Sequence, residues 1–282
     1  MELDCPAWGG IDPRAARGVF RDLTTYLDQP IKAITRMYWD QREGEDAVAQ
    51  QRVAEAADER PVVQYYAQTR HYLYELSYWE ACYDKQMWFR VIERACRKYR
   101  FGHILDFGGG IGGLTLYLNT HGIQCDYLDV GGVTMAYAAS RFARHGLHVP
   151  TYDVTSRTTT PKGGYDAVVA WDVLEHLFDL EDAIRQIGAL LRPGGWVMSK
   201  STFAIEGGRH EAIHLKRHAC YGDVRRLNEL FRRHHLHFVG QLKPSRVSRF
   251  LRMLGRQTAV TGIRIAPRLK HGGNFLVHER IE

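Results

Sequence analysis

A glycine-rich segment and the acidic residue before it have the residue types and spacing expected of a cofactor site. Residues 108–113 contain five glycines, follow an apolar run that ends in Asp106, and precede a stretch with helical spacing at residues 114–119. Glycines allow a turn to adopt positive φ angles and to approach a ligand closely, and the following helix presents unpaired N–H groups at its amino terminus. The segment therefore predicts a strand, a tight turn and a helix that bind a nucleotide-type cofactor.

Acidic residues end four successive apolar runs. Asp106, Asp129, Asp153 and Asp172 each close a predicted strand, in a region where predicted strands and helices alternate. This alternation predicts a mostly parallel sheet with helices on both faces, and ligands of such sheets bind at the carboxyl ends of the strands. We therefore expect the four carboxyl groups to lie near the glycine turn, although each could instead cap a helix or lie on the surface.

Two cofactor fingerprints overlap on the glycines. G-x-G-x-x-G at residues 108–113 matches the dinucleotide-binding pattern, with Asp129 near the position of its ribose ligand. D-x-G-x-G-x-G at residues 106–112 matches the acid-led loop of methyltransferases. Asp106 favours the second pattern, because a carboxylate there would repel the pyrophosphate of NAD but attract the ammonium and sulfonium groups of S-adenosylmethionine. An NAD-dependent dehydrogenase is the weaker alternative.

From about Arg100 to Trp196 the chain resembles the class I S-adenosylmethionine-dependent methyltransferases. Six phrases carry the resemblance in the family's order: DFGGGIG from 106, YLDVG from 127, YDVTS from 152, GYDAV from 164, DVLEH from 172 and LRPGG from 191. The last two are far more specific than the glycines. The resemblance implies a Rossmann-like, seven-stranded, mostly parallel sheet with helices on both faces, to which the sequence adds an N-terminal helical cap.

The resemblance also implies roles for residues of an S-adenosylmethionine site. Asp106 and the glycine turn would hold the methionine moiety, and Asp129 would accept the ribose hydroxyls. Val130 would pack on the adenine ring, with Asp153 and Val154 beside its amino group. The expected cofactor-binding residues are Asp106, Gly108, Gly110, Gly112, Asp129, Val130, Asp153, Val154, Trp171 and Asp172, the last two bordering the methyl donor.

Two histidines are the candidate catalytic residues. Methyl transfer from a sulfonium is an in-line displacement, so alignment of the reactants supplies much of the rate, and a base is needed only if the acceptor must lose a proton. His176 ends the DVLEH phrase. His214 precedes Leu215 in a loop where relatives often carry a His-Leu pair near the acceptor pocket. Either histidine could instead have a purely structural role.

Metal binding is a weaker interpretation of the same residues. The related phrase Glu-x-x-Glu-His binds a metal in ubiquinone-pathway O-methyltransferases and plant small-RNA methyltransferases. Here the first acid is Asp172, one carbon shorter, which with Glu175, His176 and a downstream histidine would offer oxygen and nitrogen ligands. We expect no resident metal, because DVLEH also occurs in metal-free relatives. HEAIH at residues 210–214 matches a zinc-protease motif, but no long helix is predicted to align its histidines.

The chain before residue 100 predicts helices rather than strands. Spacing and proline positions predict helices at residues 14–27 and 31–58, and two aromatic-rich helices between Val62 and Tyr99 that separate near Tyr83–Lys85. Their aromatic side chains either pack on the sheet or line a substrate pocket. We therefore divide the chain into a helical cap at 1–99 and a cofactor-binding domain at 100–282, with a basic insertion at about 243–272.

Local periodicity beyond residue 100 predicts the remaining elements. The expected strands are 103–107, 124–128, 148–152, 166–171, 196–201, 236–242 and 275–281. The expected helices are 113–121, 133–145, 180–191 and 221–234, with a turn at Pro193–Gly195.

The charge and composition of the chain limit the classes of partner and the cellular location that we expect. The net charge is +6, and residues 201–282 contain 16 Lys and Arg against 6 Asp and Glu, which fits an anionic substrate, a nucleic acid or a solvated surface. No apolar run approaches the roughly 18 residues of a membrane span, no secretory signal is evident, and five scattered cysteines fit reduced thiols. We expect a cytoplasmic protein of unknown oligomeric state.

The sequence therefore predicts an S-adenosylmethionine-dependent methyltransferase that acts on oxygen, nitrogen or carbon of a small molecule. The aromatic helices favour an enclosed pocket, and the basic residues allow an anionic acceptor; nucleic acid is a weaker candidate because no RNA-binding motif is evident. A metal-assisted RNA or polyphenol methyltransferase is the enzymatic alternative. A non-catalytic S-adenosylmethionine-binding partner protein is the alternative of another class.

Overall fold

The computed structural model describes residues 10–42, 53, 55–156, 160–203, 214–244 and 275–281. A seven-stranded sheet lies at its centre, in the order β3-β2-β1-β4-β5-β7-β6. The strands are β1 His103–Phe107, β2 Gln124–Asp129, β3 Thr151–Asp153, β4 Tyr165–Trp171, β5 Leu191–Lys200, β6 Leu236–Leu242 and β7 Phe275–Arg280. β1 to β5 pair in parallel, whereas β7 is antiparallel to both β5 and β6. This confirms the predicted Rossmann-like, mostly parallel sheet.

Helices before and between the strands complete the architecture. Those that precede the sheet are α1 Pro13–Leu27, α2 Ile31–Arg42, α3 Arg60–Gln68, α4 His71–Ala81 and α5 Tyr83–Tyr99. Those that follow β1 are α6 Gly113–Thr120, α7 Val133–Arg144, α8 Leu180–Leu190 and α9 Val224–Arg233, with 3₁₀ segments at Leu174–His176 and Lys216–Gly222. None of the helices described is long and apolar enough to cross a membrane.

The sheet is buried on both faces, which explains why its central strands are almost continuously apolar. α5 and α6 cover one face, where the buried side chains include Phe89, Ile92, Leu118, Val169 and Met198. α8 and α9 cover the other face, where they include Leu105, Val168, Ile184, Leu230 and Phe231. This packing holds the carboxyl ends of β1, β2 and β4 at one rigid edge.

The aromatic-rich segment forms three helices, so the prediction of two was wrong. The first break lies at Thr69 and the second at Cys82, and both residues have extended backbone angles. Neither break contains a glycine or a proline, which is why the sequence pattern missed the first and misplaced the second. Of the helix predicted at 31–58, the structure describes Ile31–Arg42 as helix, and residues 43–52 and 54 lie outside the described chain.

β3 and β5 differ from the predicted strands. β3 begins at Thr151, three residues later than predicted, and the turn predicted at 193–195 lies within β5, where the pairing with β4 shifts register. Most of the predicted basic insertion lies outside the described residues.

Four cysteines are free thiols, Cys82, Cys96, Cys125 and Cys220, and the fifth lies outside the described chain.

Two glycines offer a matched test of packing at the glycine turn. Gly112 and Gly122 both have a φ of +74°, but a Cβ on Gly112 would lie 2.6 Å from the Phe142 ring, whereas one on Gly122 would meet nothing within 4 Å. Alanine at either position costs roughly 1–2 kcal/mol of backbone strain. We expect Gly112→Ala to cost about 1–2 kcal/mol more than Gly122→Ala, because it also overpacks the core. Urea unfolding measures both, and equal costs would contradict the packing argument.

Candidate functional site

A cavity of about 240 Å³ lies at the carboxyl ends of β1, β2 and β4. The glycine turn and the ends of these strands form its floor, and side chains from α3, α4 and α5 form its opposite wall. This is the edge at which parallel sheets bind their ligands. Predicted site residues that line the cavity are Asp106, Gly108, Gly110, Asp129, Val130, Val154, Trp171, Asp172, His176 and His214.

The glycine turn is held between the ends of two neighbouring strands. The backbone N–H groups of Gly108 and Gly109 donate to the carbonyl of Leu128, at 2.8 and 3.2 Å. Gly108 has a φ of +74°, and a Cβ at this position would lie 2.4 Å from Val173. The Tyr127 hydroxyl donates to the carbonyl of Gly110 at 2.6 Å. The turn therefore needs glycine at 108, both for its backbone conformation and for its contact with the chain beyond β4.

Asp129 joins the glycine turn to the end of β2. Its Oδ2 accepts a hydrogen bond from the N–H of Gly110 at 2.6 Å, and its Oδ1 accepts one from the N–H of Val130 at 2.6 Å. A carboxylate has about four acceptor positions, so positions remain for further donors. Burial raises the pKa of Asp129 to about 6, although these hydrogen bonds favour the ionised form.

Asp106 lies beneath the turn, at the end of β1. The residue is only 4% exposed, and it accepts a hydrogen bond from the Thr115 hydroxyl at 2.8 Å. Burial and the charge of Asp129 raise its pKa to about 6, against the opposing effects of the Thr115 hydrogen bond and the Lys85 ammonium. The two carboxyl groups thus form a negatively charged site, rich in hydrogen-bond acceptors, beside the turn. Such a site suits a ligand with hydroxyl and ammonium groups.

Gly112 and Asp153 are not among the residues that line the cavity. Gly112 packs against Phe142. Asp153 Oδ1 accepts hydrogen bonds from the N–H groups of Gly131 and Thr155, both at 2.8 Å. In this structure Asp153 therefore shapes the loop after β2, next to the cavity residues Val130 and Val154.

A corner of the cavity contains two lysines that the sequence analysis missed. Lys85 Nζ lies 3.6 Å from Asp172 Oδ2, and Lys200 Nζ lies 3.9 Å from Asp172 Oδ1. Lys85 Nζ also lies 3.5 Å from the centre of the Trp171 ring. Lys200 ends β5, so the pattern of polar residues at strand ends could have identified it from the sequence. Lys85 lies on α5, and only the tertiary structure brings it to this corner.

Both candidate catalytic histidines lie together in the lining of the cavity. The rings of His176 and His214 are 4.9 Å apart, and ligand atoms from Glu175, His176 and His214 all lie within 4.8 Å of one another. Glu175 Oε1 accepts a hydrogen bond from the N–H of Thr202 at 2.8 Å. Its Oε2 is buried and has no hydrogen-bond partner in the part of the chain that the structure describes.

This cluster differs from the metal set considered from the sequence. Asp172 is not one of the three clustered residues, and its carboxylate faces the two lysines instead. Glu175, His176 and His214 together offer one oxygen and two nitrogen ligands, a combination that suits divalent transition metals. His210 and Glu211 of the zinc-protease motif lie outside the described residues.

The aromatic side chains of the cap serve both roles considered from the sequence. Trp88 and Phe89 pack on the sheet, in the same buried cluster as Val169. Tyr66 and Tyr72 instead line the cavity, and the Tyr66 ring lies 5.7 Å from that of His176. The cap helices therefore pack against the sheet with some of their aromatic side chains and form an aromatic wall of the cavity with others.

The raised pKa values predict a pH dependence of ligand binding. A ligand that donates hydroxyls to Asp129 or places an ammonium near Asp106 needs ionised carboxyl groups, so its binding releases protons when pH is below about 6. We expect the affinity for S-adenosylhomocysteine to fall between pH 7.5 and pH 5, by up to about tenfold per carboxyl group. Calorimetry across this range measures it.

The control for this pH dependence lies within the same site. Hydrogen bonds from Thr155 and Gly131 outweigh the partial burial of Asp153, so that its pKa is lowered and it stays ionised over this range. Asp129→Ala should therefore flatten the pH profile, whereas Asp153→Asn should leave its midpoint unchanged. A wild-type profile that is flat from pH 7.5 to 5 would contradict the assignment of both carboxyl groups to the ligand.

Comparison with known proteins points to one family. A family profile described as "Methyltransferase domain" matches residues 78–239. The ubiquinone biosynthesis O-methyltransferase of Chromobacterium violaceum is 29% identical over 154 residues, which cover 54% of this chain and 63% of that protein. The protein of the same name from Bordetella avium is 34% identical over 101 residues, which cover 33% of this chain and 40% of that protein.

The chain therefore spans less than two thirds of the length of these curated relatives. Among solved structures, the 1,6-didemethyltoxoflavin-N1-methyltransferase of Burkholderia thailandensis aligns with a TM-score of 0.44 at 19% identity, over 69% of this chain and 78% of that chain.

Proposed function

This chain belongs to the methyltransferase-domain family, and from that premise we propose that it transfers the methyl group of S-adenosylmethionine to a small-molecule acceptor. One observation carries the proposal: a single cavity contains the glycine turn with Asp106 and Asp129, and opposite them an aromatic wall with two histidines. The turn and the acids suit the donor, and the aromatic wall suits a small acceptor.

The cofactor half of the cavity has groups of the chemistry that S-adenosylmethionine requires. Asp106 would attract the ammonium of the methionine moiety, and the free acceptor positions of Asp129 would take the ribose hydroxyls. Val130 and Val154 would pack beside the adenine ring. When bound, the cofactor supplies an electrophilic methyl group on a sulfonium.

The acceptor half of the cavity would align the nucleophile and exclude water. Tyr66 and Tyr72 close the cavity from the cap, and alignment of this kind supplies much of the rate of a displacement. His214 is only 6% exposed and lies beside His176, so that either imidazole is placed to accept a proton from the acceptor. Trp171 and Asp172 would border the methyl group.

Two experiments test this proposal. Calorimetry should detect binding of S-adenosylhomocysteine and no comparable binding of NAD; tight binding of NAD alone would contradict the donor assignment. A screen with a labelled methyl donor, across phenols, carboxylic acids, amines and activated carbon acids, should then identify labelled products. Binding of S-adenosylhomocysteine without labelling of any acceptor would favour a non-catalytic S-adenosylmethionine-binding protein.

We expect His214→Ala to separate catalysis from cofactor binding. The change removes a hydrogen-bonding group from the acceptor side, so kcat should fall by about tenfold, the scale of one such interaction. Affinity for S-adenosylhomocysteine should stay within twofold, because the cofactor contacts are assigned to the glycine turn and the carboxyl groups beside it. The exposed His148→Ala is the matched control. Unchanged turnover of His214→Ala would remove this residue from the acceptor site.

A second candidate function, metal-assisted O-methyl transfer, has two supporting observations. Glu175, His176 and His214 converge within 4.8 Å, and Glu175 Oε2 is a buried acceptor without a hydrogen-bond partner among the described residues. A divalent ion bound there would polarise an acceptor oxygen. Turnover should then be lost in EDTA and restored by a divalent ion in the wild type but not in Glu175→Gln; turnover unchanged in EDTA would contradict this candidate.

A further inference from the structure

The hydroxyl of Thr115 is directed at a carboxylate of the site rather than at its own helix. Thr115 is the third residue of α6 and is fully buried. Its hydroxyl donates to Asp106 Oδ2 at 2.8 Å, the one acceptor that the described residues give it. A threonine inside a helix commonly bonds a carbonyl three or four residues earlier. Thr120 of the same helix does so, at 2.9 Å from the carbonyl oxygens of Leu116 and Tyr117.

Asp106 depends on such contacts to carry a charge. Burial disfavours the ionised form of a carboxyl group, whereas a hydrogen bond donated to the ionised form favours it. Burial raises the pKa of Asp106 to about 6, and the hydrogen bond from the Thr115 hydroxyl is the largest of the effects that lower it. The N–H of Thr115 acts in the same direction with a smaller effect.

Groups on α5 and β2 also face Asp106. The charge of Asp129 on β2 disfavours the ionised form of Asp106, whereas the ammonium of Lys85 on α5 favours it. Cys125 and Tyr127, also on β2, have pKa values that burial raises, and the charge of Asp106 raises them further, so both stay neutral near pH 7. The two charged neighbours oppose each other, and a hydrogen bond from a neutral group can therefore tip the balance.

Thr115 can reach a ligand only through Asp106. Asp106 is among the residues that line the cavity, and Thr115 is not. The hydroxyl therefore approaches the carboxylate from α6, behind the cavity. It occupies one of the roughly four acceptor positions of a carboxylate, so positions remain for a ligand on the cavity side.

We propose that Thr115 is a positioning residue of the cofactor site, whose hydroxyl keeps the Asp106 carboxylate ionised for the ammonium of the methionine moiety. The inference rests on the proposed function, in which Asp106 attracts that ammonium. Because the hydrogen bond favours the charged carboxylate, its removal raises the pH at which Asp106 ionises. Cofactor binding near neutral pH would then require Asp106 to release a proton first.

The test measures affinity for S-adenosylhomocysteine by calorimetry at pH 6, 7 and 8. Thr115→Val removes the hydroxyl and keeps the branched shape of the side chain. The midpoint of its pH dependence should rise by about one pH unit, the scale of a hydrogen bond to a charged group. Affinity should therefore fall about fivefold at pH 6 and stay within twofold of the wild type at pH 8. A merely structural role would lower the affinity by the same factor at every pH.

Further variants assign the effect to the hydrogen bond. Thr115→Ser keeps the hydroxyl and should keep the wild-type midpoint, whereas Thr115→Ala should shift it as Thr115→Val does. Thr120→Val is the matched control, because it removes a hydroxyl from the same helix that contacts backbone carbonyls alone, apart from a 3.4 Å contact with the neighbouring imidazole. Adding Thr115→Val to Asp106→Asn should shift the midpoint no further, because the amide does not ionise.

The outcomes separate this inference from the proposed function. Failure of the wild type to bind S-adenosylhomocysteine at any of the three pH values would contradict the proposed function itself. Wild-type binding with an unshifted midpoint in Thr115→Val and Thr115→Ala would overturn the role of Thr115 alone. So would an equal loss of affinity at every pH, or a midpoint shift that persists in the Asp106→Asn background.

Discussion

Arg141→Met is expected to lower the free energy of unfolding by about 3–5 kcal/mol, the cost of removing one partner from a buried ion pair. Arg141 lies on α7 and is 1% exposed. It contacts both carboxylate oxygens of Glu80 on α4, Asp22 on α1 at 3.2 Å, and the carbonyl of Ile111 in the glycine turn at 2.8 Å. The variant would leave the buried carboxylate of Glu80 without its arginine partner, whereas Asp22 would keep Arg144 at 3.5 Å.

Urea unfolding followed by circular dichroism measures this cost. Arg185→Met is the matched control, because Arg185 pairs with Asp182 on the exposed surface of α8 and such pairs contribute about 0–1 kcal/mol. Adding Glu80→Gln to Arg141→Met should recover part of the loss, because one unpaired charge is removed. A loss below 1 kcal/mol for Arg141→Met would contradict the view that this arginine ties the cap to the glycine turn.

Asp129→Ala is expected to weaken binding of S-adenosylhomocysteine by about 1–3 kcal/mol, or roughly 5- to 150-fold. The change leaves the N–H groups of Gly110 and Val130 without their acceptor and removes the group assigned to the ribose hydroxyls. Both effects act on the ligand site, so the loss of affinity should exceed the loss of stability. Calorimetry at pH 7.5 measures the affinity.

The control for Asp129 is an aspartate near the opposite, amino-terminal ends of the strands. Asp166, near the start of β4, accepts hydrogen bonds from the N–H groups of Gly102 and His103 and pairs with Arg192 at 2.7 Å. Asp166→Asn should leave the affinity for S-adenosylhomocysteine within twofold of the wild type. Unchanged affinity in Asp129→Ala would mean that the cofactor binds at a different strand end.

Most of the sheet was predictable because its signals are local. Apolar runs of strand length predicted β1, β2, β4, β6 and β7 closely, and they predicted the second half of β5. The same local pattern placed Asp106, Asp129 and Asp172 beside one cavity. Such predictions succeed because the strand period and the position of a strand end depend on neighbouring residues alone.

The cap was less predictable for a physical reason. Breaks at Thr69 and Cys82 have no glycine or proline, so nothing local distinguishes them from helix interior. They arise where α3, α4 and α5 turn to pack on different surfaces, the cavity wall on one side and the sheet on the other. Tertiary packing overrides helix propensity at such positions.

The ends of the strands, the glycine turn and the carboxyl groups beside it could be predicted from the sequence, because adjacent residues encode them. Which distant side chains join them depends on the folded chain. It brings Lys85 of the cap to Asp172, His214 to Glu175 and His176, and Arg141 to Glu80 and the turn. These contacts join residues far apart in the chain, and their energies depend on burial and charge balance that no local pattern contains.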